Sequence, residues 1–199
     1  MAFGLMNLRP DLRQMVEQEL ETMEHVRWVA QPRPGRLARK ALPIVLFAIP
    51  FTGFAVFWLV MAFTMTRSTP GPGPAFLFPL FGVPFLLVGL AMLSSPLWYR
   101  RKARRTVYVI TDRRAIVFSG GWSTTVDSFD PAKIKGRSKR LKGDGSGDII
   151  FEERLSYYGS HHHGNRPPTL DIGFLALDDV RQADELLKDL VEASERRPA

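Results

Sequence analysis

Two long stretches carry no charged residue at all: ALPIVLFAIPFTGFAVFWLVMAFTM from Ala41 to Met65, and AFLFPLFGVPFLLVGLAMLSSPLWY from Ala75 to Tyr99. A helix of about 20 apolar residues crosses the ~30 Å hydrocarbon core of a bilayer, and both runs exceed that length. Pro43, Pro50, Pro79 and Pro84 would be costly inside a soluble helix, whereas neighbouring helices make them tolerable in a membrane span. The expectation is therefore two transmembrane helices, over 41–65 and 75–99. Neither run reads as a cleaved signal peptide, because a polar segment covering 1–40 precedes the first.

The connecting segment 66–74 is rich in Pro and Gly and cannot continue a helix, so the two spans are expected to form an antiparallel hairpin. Positive charge sets the direction of such a hairpin. Arg33, Arg36, Arg39 and Lys40 precede the first run, and Arg100, Arg101, Lys102, Arg104 and Arg105 follow the second, while the connection carries only Arg67. Both flanks are expected on the cytoplasmic side, with Trp98 and Tyr99 as an interfacial anchor. A net charge of +7 and an isoelectric point near 10.0 fit an anionic partner, a membrane surface or nucleic acid. The chain has no cysteine, which excludes disulfides and thiolate metal sites.

Outside the apolar runs the pattern changes. Leu12, Met15, Val16, Leu20 and Met23 fall at helical spacing, predicting a helix over Asp11–Glu24. Its polar face is acidic, which favours packing on the chain's own domain over lying on a membrane. Val26–Ala30 alternates as a short strand. Beyond residue 100, strands are predicted at 106–110, 115–118, 122–129, 133–141, 148–154 and 170–177, and turn residues separate them. Short strands in series argue for an antiparallel sandwich or barrel. A closing helix over 178–193, capped by Asp178 or Asp179, carries Val180, Ala183, Leu186, Leu187, Leu190 and Val191 as one stripe and would plug an open end.

This order of elements resembles bacterial membrane proteins with a pleckstrin-homology-like (PH-like) domain. The resemblance rests on Trp28 ahead of the hairpin and on Tyr108-Val109-Ile110-Thr111-Asp112-Arg113-Arg114 followed by Ala115-Ile116-Val117. Gly145 to Phe151 and Gly173-Phe174 before the last helix add to it. It covers nearly the whole chain, and it implies a bent antiparallel barrel of about seven strands, capped by a C-terminal helix and tethered to the inner membrane over 100–199. It implies no catalytic activity, no cofactor and no agreed ligand. Trp28's strand would complete the sheet from ahead of the hairpin.

Several residue groups invite a chemical role. Lys133, Lys135, Arg137 and Lys139 recur at every second position, so on a strand they would share one face. They are candidate anionic-lipid contacts, together with Arg36, Arg39, Lys40 and Arg100 through Arg105. The competing reading, which the pattern favours for the strand, is a solvated face that blunts a sheet edge. His161-His162-His163 sits among Gly, Asn and Pro and reads as a surface loop rather than a metal site. No nucleophile elbow is present, and Glu152 and Glu153 would face opposite ways on a strand, so no enzyme is expected. Nucleic-acid binding is disfavoured because the basic residues lack interleaved aromatics.

The stretch Lys142-Gly143-Asp144-Gly145-Ser146-Gly147-Asp148 resembles neither a phosphate loop, since its Lys is misplaced and a strand follows, nor a calcium loop. In the latter, Ile149 would occupy the obligatory Gly position and Leu155 that of the bidentate Glu. A hairpin turn remains. The chain is thus expected to be a non-catalytic binding or assembly module contacting lipid headgroups or a membrane-protein partner. The alternative is a structural subunit of a larger membrane complex or a homo-oligomer, packing through Gly53, Gly82 and Gly89.

Overall fold

The computed structural model describes residues 5–68, 77–121, 123–155 and 169–196. Of the expected connection 66–74, residues 66–68 instead extend the first apolar helix, while residues 69–74, Trp122 and the histidine triplet 161–163 lie outside the described residues. Two compact units are present. Leu37–Arg100 forms one, and residues up to Arg36 together with those from Arg101 onward form the other.

Prolines decide where the helices begin. Pro10 opens α1 (Pro10–Glu19) and Pro34 opens α2 (Pro34–Arg39). Pro43 is second in α3 (Leu42–Ser68), and a short turn, α4 (Leu77–Leu80), precedes α5 (Gly82–Leu93), whose first turn holds Pro84. Pro96 is second in α6 (Ser95–Arg104). The first-turn N–H groups of a helix have no intrahelical acceptor, so proline costs little there. Pro50 alone lies inside a described helix, α3.

The second apolar run is therefore not the continuous helix expected over 75–99. It breaks at Phe81 and again at Ser94, where α5 and α6 meet at a 42° bend. α3 is long and apolar enough to cross a membrane by itself, whereas α5 and α6 meet that test only when counted together. At 1.5 Å per residue, the 12 residues of α5 extend about 18 Å, short of a ~30 Å core.

Within this unit α3 and α5 run antiparallel. A side chain added at Gly89 would lie 2.3 Å from Thr52 Oγ1, and one added at Gly82 would lie 2.9 Å from Leu59 Cδ2. Ala41, Ala48, Ala55 and Ala62 are all buried and recur every seventh residue, the spacing that keeps one seam of a helix facing its neighbour. Gly82 and Gly89 continue that seam on α5, so the chain's own hairpin takes up two of the three glycines considered for a partner helix. Gly53 is exposed, with open space around it.

The second unit holds two antiparallel sheets. The first has the order β1 (Val26–Ala30), β2 (Val107–Thr111), β3 (Ala115–Ser119) and β4 (Thr125–Phe129). β1 comes from before the apolar hairpin and pairs with β2 from after it, in a register that places Trp28 opposite Ile110 and Ala30 opposite Tyr108. After α7 (Pro131–Lys135), the second sheet runs β5 (Ser138–Leu141), β6 (Gly147–Leu155) and β7 (Thr169–Leu177), and α8 (Val180–Glu195) closes the described chain. The oxygen of Asp179 caps α8, accepting from the backbone N–H groups of Arg181 and Gln182.

β2 and β3 are buried on both faces, and each face meets a different neighbour. Tyr108, Ile110 and Val117 join Phe151, Phe174 and the α8 stripe in the main core. Tyr108 and Phe174 lie 4.9 Å apart between ring centroids, and Trp28 reaches the same Phe174 at 5.8 Å. Val107, Val109, Ile116 and Phe118 point the other way, beneath Leu12 and Val16 of α1. The N-terminal helix thus packs on its own domain, but it ends at Glu19 rather than Glu24. Leu20 is already extended, and Met23, at φ +68°, is exposed and leaves the expected stripe.

Between β5 and β6 the glycine-rich stretch is the hairpin turn that its residues predict. The Lys142 N–H donates to the Ser146 carbonyl (2.8 Å), and Gly145 takes φ +80°, a conformation that glycine adopts without strain. Asp144 accepts from the backbone N–H and the hydroxyl of Ser146, as an Asx turn does.

Candidate lipid-facing surface

The basic residues read from the sequence separate into two groups once their neighbours are known. Those in the folded domain are largely paired. Arg36 donates to Asp144 (2.9 Å) and to the Leu177 carbonyl. Lys135 meets Glu195 at 2.9 Å. Arg137 donates from both Nε and Nη2 to one oxygen of Asp184, at 2.8 and 2.7 Å, and Lys139 holds the other oxygen at 2.7 Å.

Nor do these residues share one strand. Lys133 and Lys135 lie on α7, Arg137 follows it, and only Lys139 belongs to β5. Of the strand expected over 133–141 only Ser138–Leu141 forms, because Asp130-Pro131 starts a helix rather than simply ending a strand. Pro131 takes the first helical position and Ile134 is fully buried as its anchor. Of the four, Lys133 alone is exposed and has no described carboxylate within ion-pair distance.

Asp184 is a residue that sequence reading missed, although a signal existed. It stands four residues after Val180 and three before Leu187, on the apolar stripe of α8, where an acid needs cationic partners. Burial pushes its carboxyl pKa up. The hydrogen bonds from Lys139 and Arg137 outweigh that and hold it below the usual range.

The Thr111-Asp112-Arg113-Arg114 turn resolves into a second buried network. Arg114 forks onto Glu24, with Nε to Oε1 and Nη2 to Oε2 both at 3.0 Å, and the Thr111 hydroxyl donates to the same carboxylate at 2.7 Å. The Glu24 side chain is 0% exposed and that of Arg114 15%. Arg113 reaches Glu21 at 3.3 Å, and the His25 N–H donates to Asp112. Burial raises the Glu24 carboxyl pKa, but the bonds from Arg114, the Glu21 N–H and Thr111 more than reverse it, so the net direction is downward. Nothing in the local spacing identifies Glu24, whose partner is 90 residues away.

The second group flanks the apolar unit. Arg39, Lys40, Arg100, Arg101, Lys102, Arg104 and Arg105 are exposed, and no described carboxylate lies within ion-pair distance of any of them. Arg105 makes only a long contact with the Gly121 carbonyl, at 3.5 Å. On α6 the predicted anchor residues precede these cations: Trp98 is about half exposed (52%) and Tyr99 partly buried. Exposed cations without internal partners are the chemistry that attracts anions. Among the described residues, no group of three His, Cys, Asp or Glu side chains is placed to hold a metal ion. Comparison with protein-family models, curated proteins and solved structures finds no match for the chain.

Proposed function

We propose that this chain is an inner-membrane-anchored, non-catalytic binding module, in which two membrane crossings hold a PH-like domain at the cytoplasmic lipid surface. The observation that carries this reading is the split domain. Residues up to Arg36 and from Arg101 onward build one unit, with the apolar unit inserted between them in sequence, and β1 pairs with β2 across that interruption. A strand ladder and the Glu24–Arg114 pair need both flanks on the same side of any membrane that Leu37–Arg100 enters, so the number of crossings must be even. The excess of unpaired Arg and Lys on both flanks points to the cytoplasmic side. Two antiparallel sheets of four and three strands, followed by a C-terminal helix, support the PH-like reading.

Anchoring defines what the module does physically. It keeps the domain within a short chain length of the bilayer, so weak contacts to headgroups or to a membrane-protein partner act at high effective concentration. The natural absence of cysteine gives a direct test. Gln18→Cys and Glu185→Cys should react with a membrane-impermeant maleimide only after the cells are opened, and Pro70→Cys should react in intact spheroplasts. Labelling of Gln18→Cys and Glu185→Cys from opposite sides would sink the proposal.

A further inference from the structure

Resting on that membrane reading, we infer that the exposed face of α6 is a docking site for anionic glycerophospholipid headgroups. α6 does not continue the direction of α5 but leaves it at 42°. At 100° per residue, Leu97, Arg101 and Arg104 form one row along the helix, and Trp98 and Lys102 form a second beside it. Each row begins with a large apolar side chain and ends, one or two turns on, with cations. Leu97 and Trp98 are 66% and 52% exposed, which is unexpected for such residues unless something apolar covers them.

The polarity of this face therefore changes along the helix axis rather than around it. From Trp98 to Arg104 the axis rises about 9 Å, comparable to the depth from acyl-chain boundary to phosphate. A glycerophospholipid has the matching profile, with an apolar body, a carbonyl level where indole rings settle, and a phosphate. Charge complementarity selects the anionic ones. Arg101, Lys102 and Arg104 meet no described carboxylate, whereas Arg36, Arg114, Arg137 and Lys139 each meet one within 3.0 Å. Cations spent on internal carboxylates have little left to offer a lipid, whereas those of α6 remain available and stand beside exposed apolar side chains.

The test uses the full chain purified in detergent and reconstituted into vesicles of phosphatidylglycerol and phosphatidylcholine. Spin-labelled lipids report the selectivity of the lipids in contact with the protein. The full chain should prefer labelled phosphatidylglycerol several-fold, and 0.5 M salt should reduce the preference, since the screening length then shrinks to a few ångströms. A triple variant, Arg101→Gln, Lys102→Gln and Arg104→Gln, should lose most of it, because it removes three cations that attract an anionic surface. Lys133→Gln, on the domain, should keep the full preference. Equal preference in the triple variant and the unaltered chain would overturn the assignment, as would a loss in Lys133→Gln as large as in the triple variant. A chain that washes out of the vesicles at alkaline pH would instead remove the membrane reading beneath it, and the two failures are thereby told apart.

Discussion

Two arginine doublets in this chain have opposite fates. Arg113-Arg114 sits in the turn between β2 and β3, where Arg113 meets Glu21 and Arg114 is held by Glu24, Ser128 and the Glu19 carbonyl. Arg100-Arg101 lies on α6 with both side chains exposed and no described carboxylate in reach. The doublets are chemically identical. What separates them is whether an acidic segment from elsewhere in the chain folds against them. A buried guanidinium is a structural fastener whose loss unbalances a carboxylate, while an exposed one is free to engage whatever anion lies outside the protein.

The most forceful way to break this contrast is to strand the buried arginine. Glu24→Gln keeps the shape of the side chain and leaves Arg114 without its counter-charge. It should cost about 3–5 kcal/mol in urea unfolding of the full chain in detergent, followed by near-ultraviolet circular dichroism. The same pair predicts an acid limb. Because folding depresses the Glu24 pKa below its ordinary value of 4.5, its contribution is complete above that pH and is lost as the pH falls through the depressed value. The unfolding midpoint should therefore fall on acidification, and fall less steeply in Glu24→Gln. An identical slope in the two proteins would assign the acid sensitivity elsewhere.

Asp184→Asn attacks the second network, with a smaller expected cost of about 1.5–3 kcal/mol, since it weakens charge-assisted hydrogen bonds from Arg137 and Lys139. It also releases Arg137, Lys139 and the more distant Lys188, and tests whether cations on the domain become competent for lipid once released. Arg114→Lys should cost about 1–2 kcal/mol, because an ammonium keeps the charge but not the fork. Arg101→Gln should move the midpoint by no more than about 0.5 kcal/mol, as an exposed residue without partners does. A larger loss there would show that α6 is fastened by contacts of its own and would dissolve the contrast.

Much of the fold is legible along the chain, and the reasons are local. Val107–Thr111 and Ala115–Ser119 are rich in β-branched residues around an Asp-Arg turn. Gly145 supplies the positive φ of the β5–β6 turn, and Asp179 with the stripe behind it announces α8. Two kinds of feature escape a local reading. One is the punctuation by proline. Pro131 opens a helix where a break is the simpler reading, and Pro96 begins a new helix within what looks like one apolar span. The other is long-range polar pairing. Whether Lys139 is a free cation or a partner of Asp184 is decided 45 residues away. The candidate surface is legible only in part, since sequence supplies the cations and the structure subtracts those that are engaged.

The interruption of the domain by Leu37–Arg100 also has a consequence in time. β1 leaves the ribosome long before its partner, because Ala30 must wait for Tyr108 and Trp28 must wait still longer for Phe174. At roughly 5–20 residues per second, the first delay is on the order of 4–16 s. Throughout it, an edge strand and the apolar face of α1 have nothing of their own to cover them. Both apolar helices, α3 and α5, are made before the rest of the sheet emerges to claim that strand and that face. For this chain the apolar unit is complete before the sheet around β1 can close, and the newborn N-terminal segment stays uncovered in the interval.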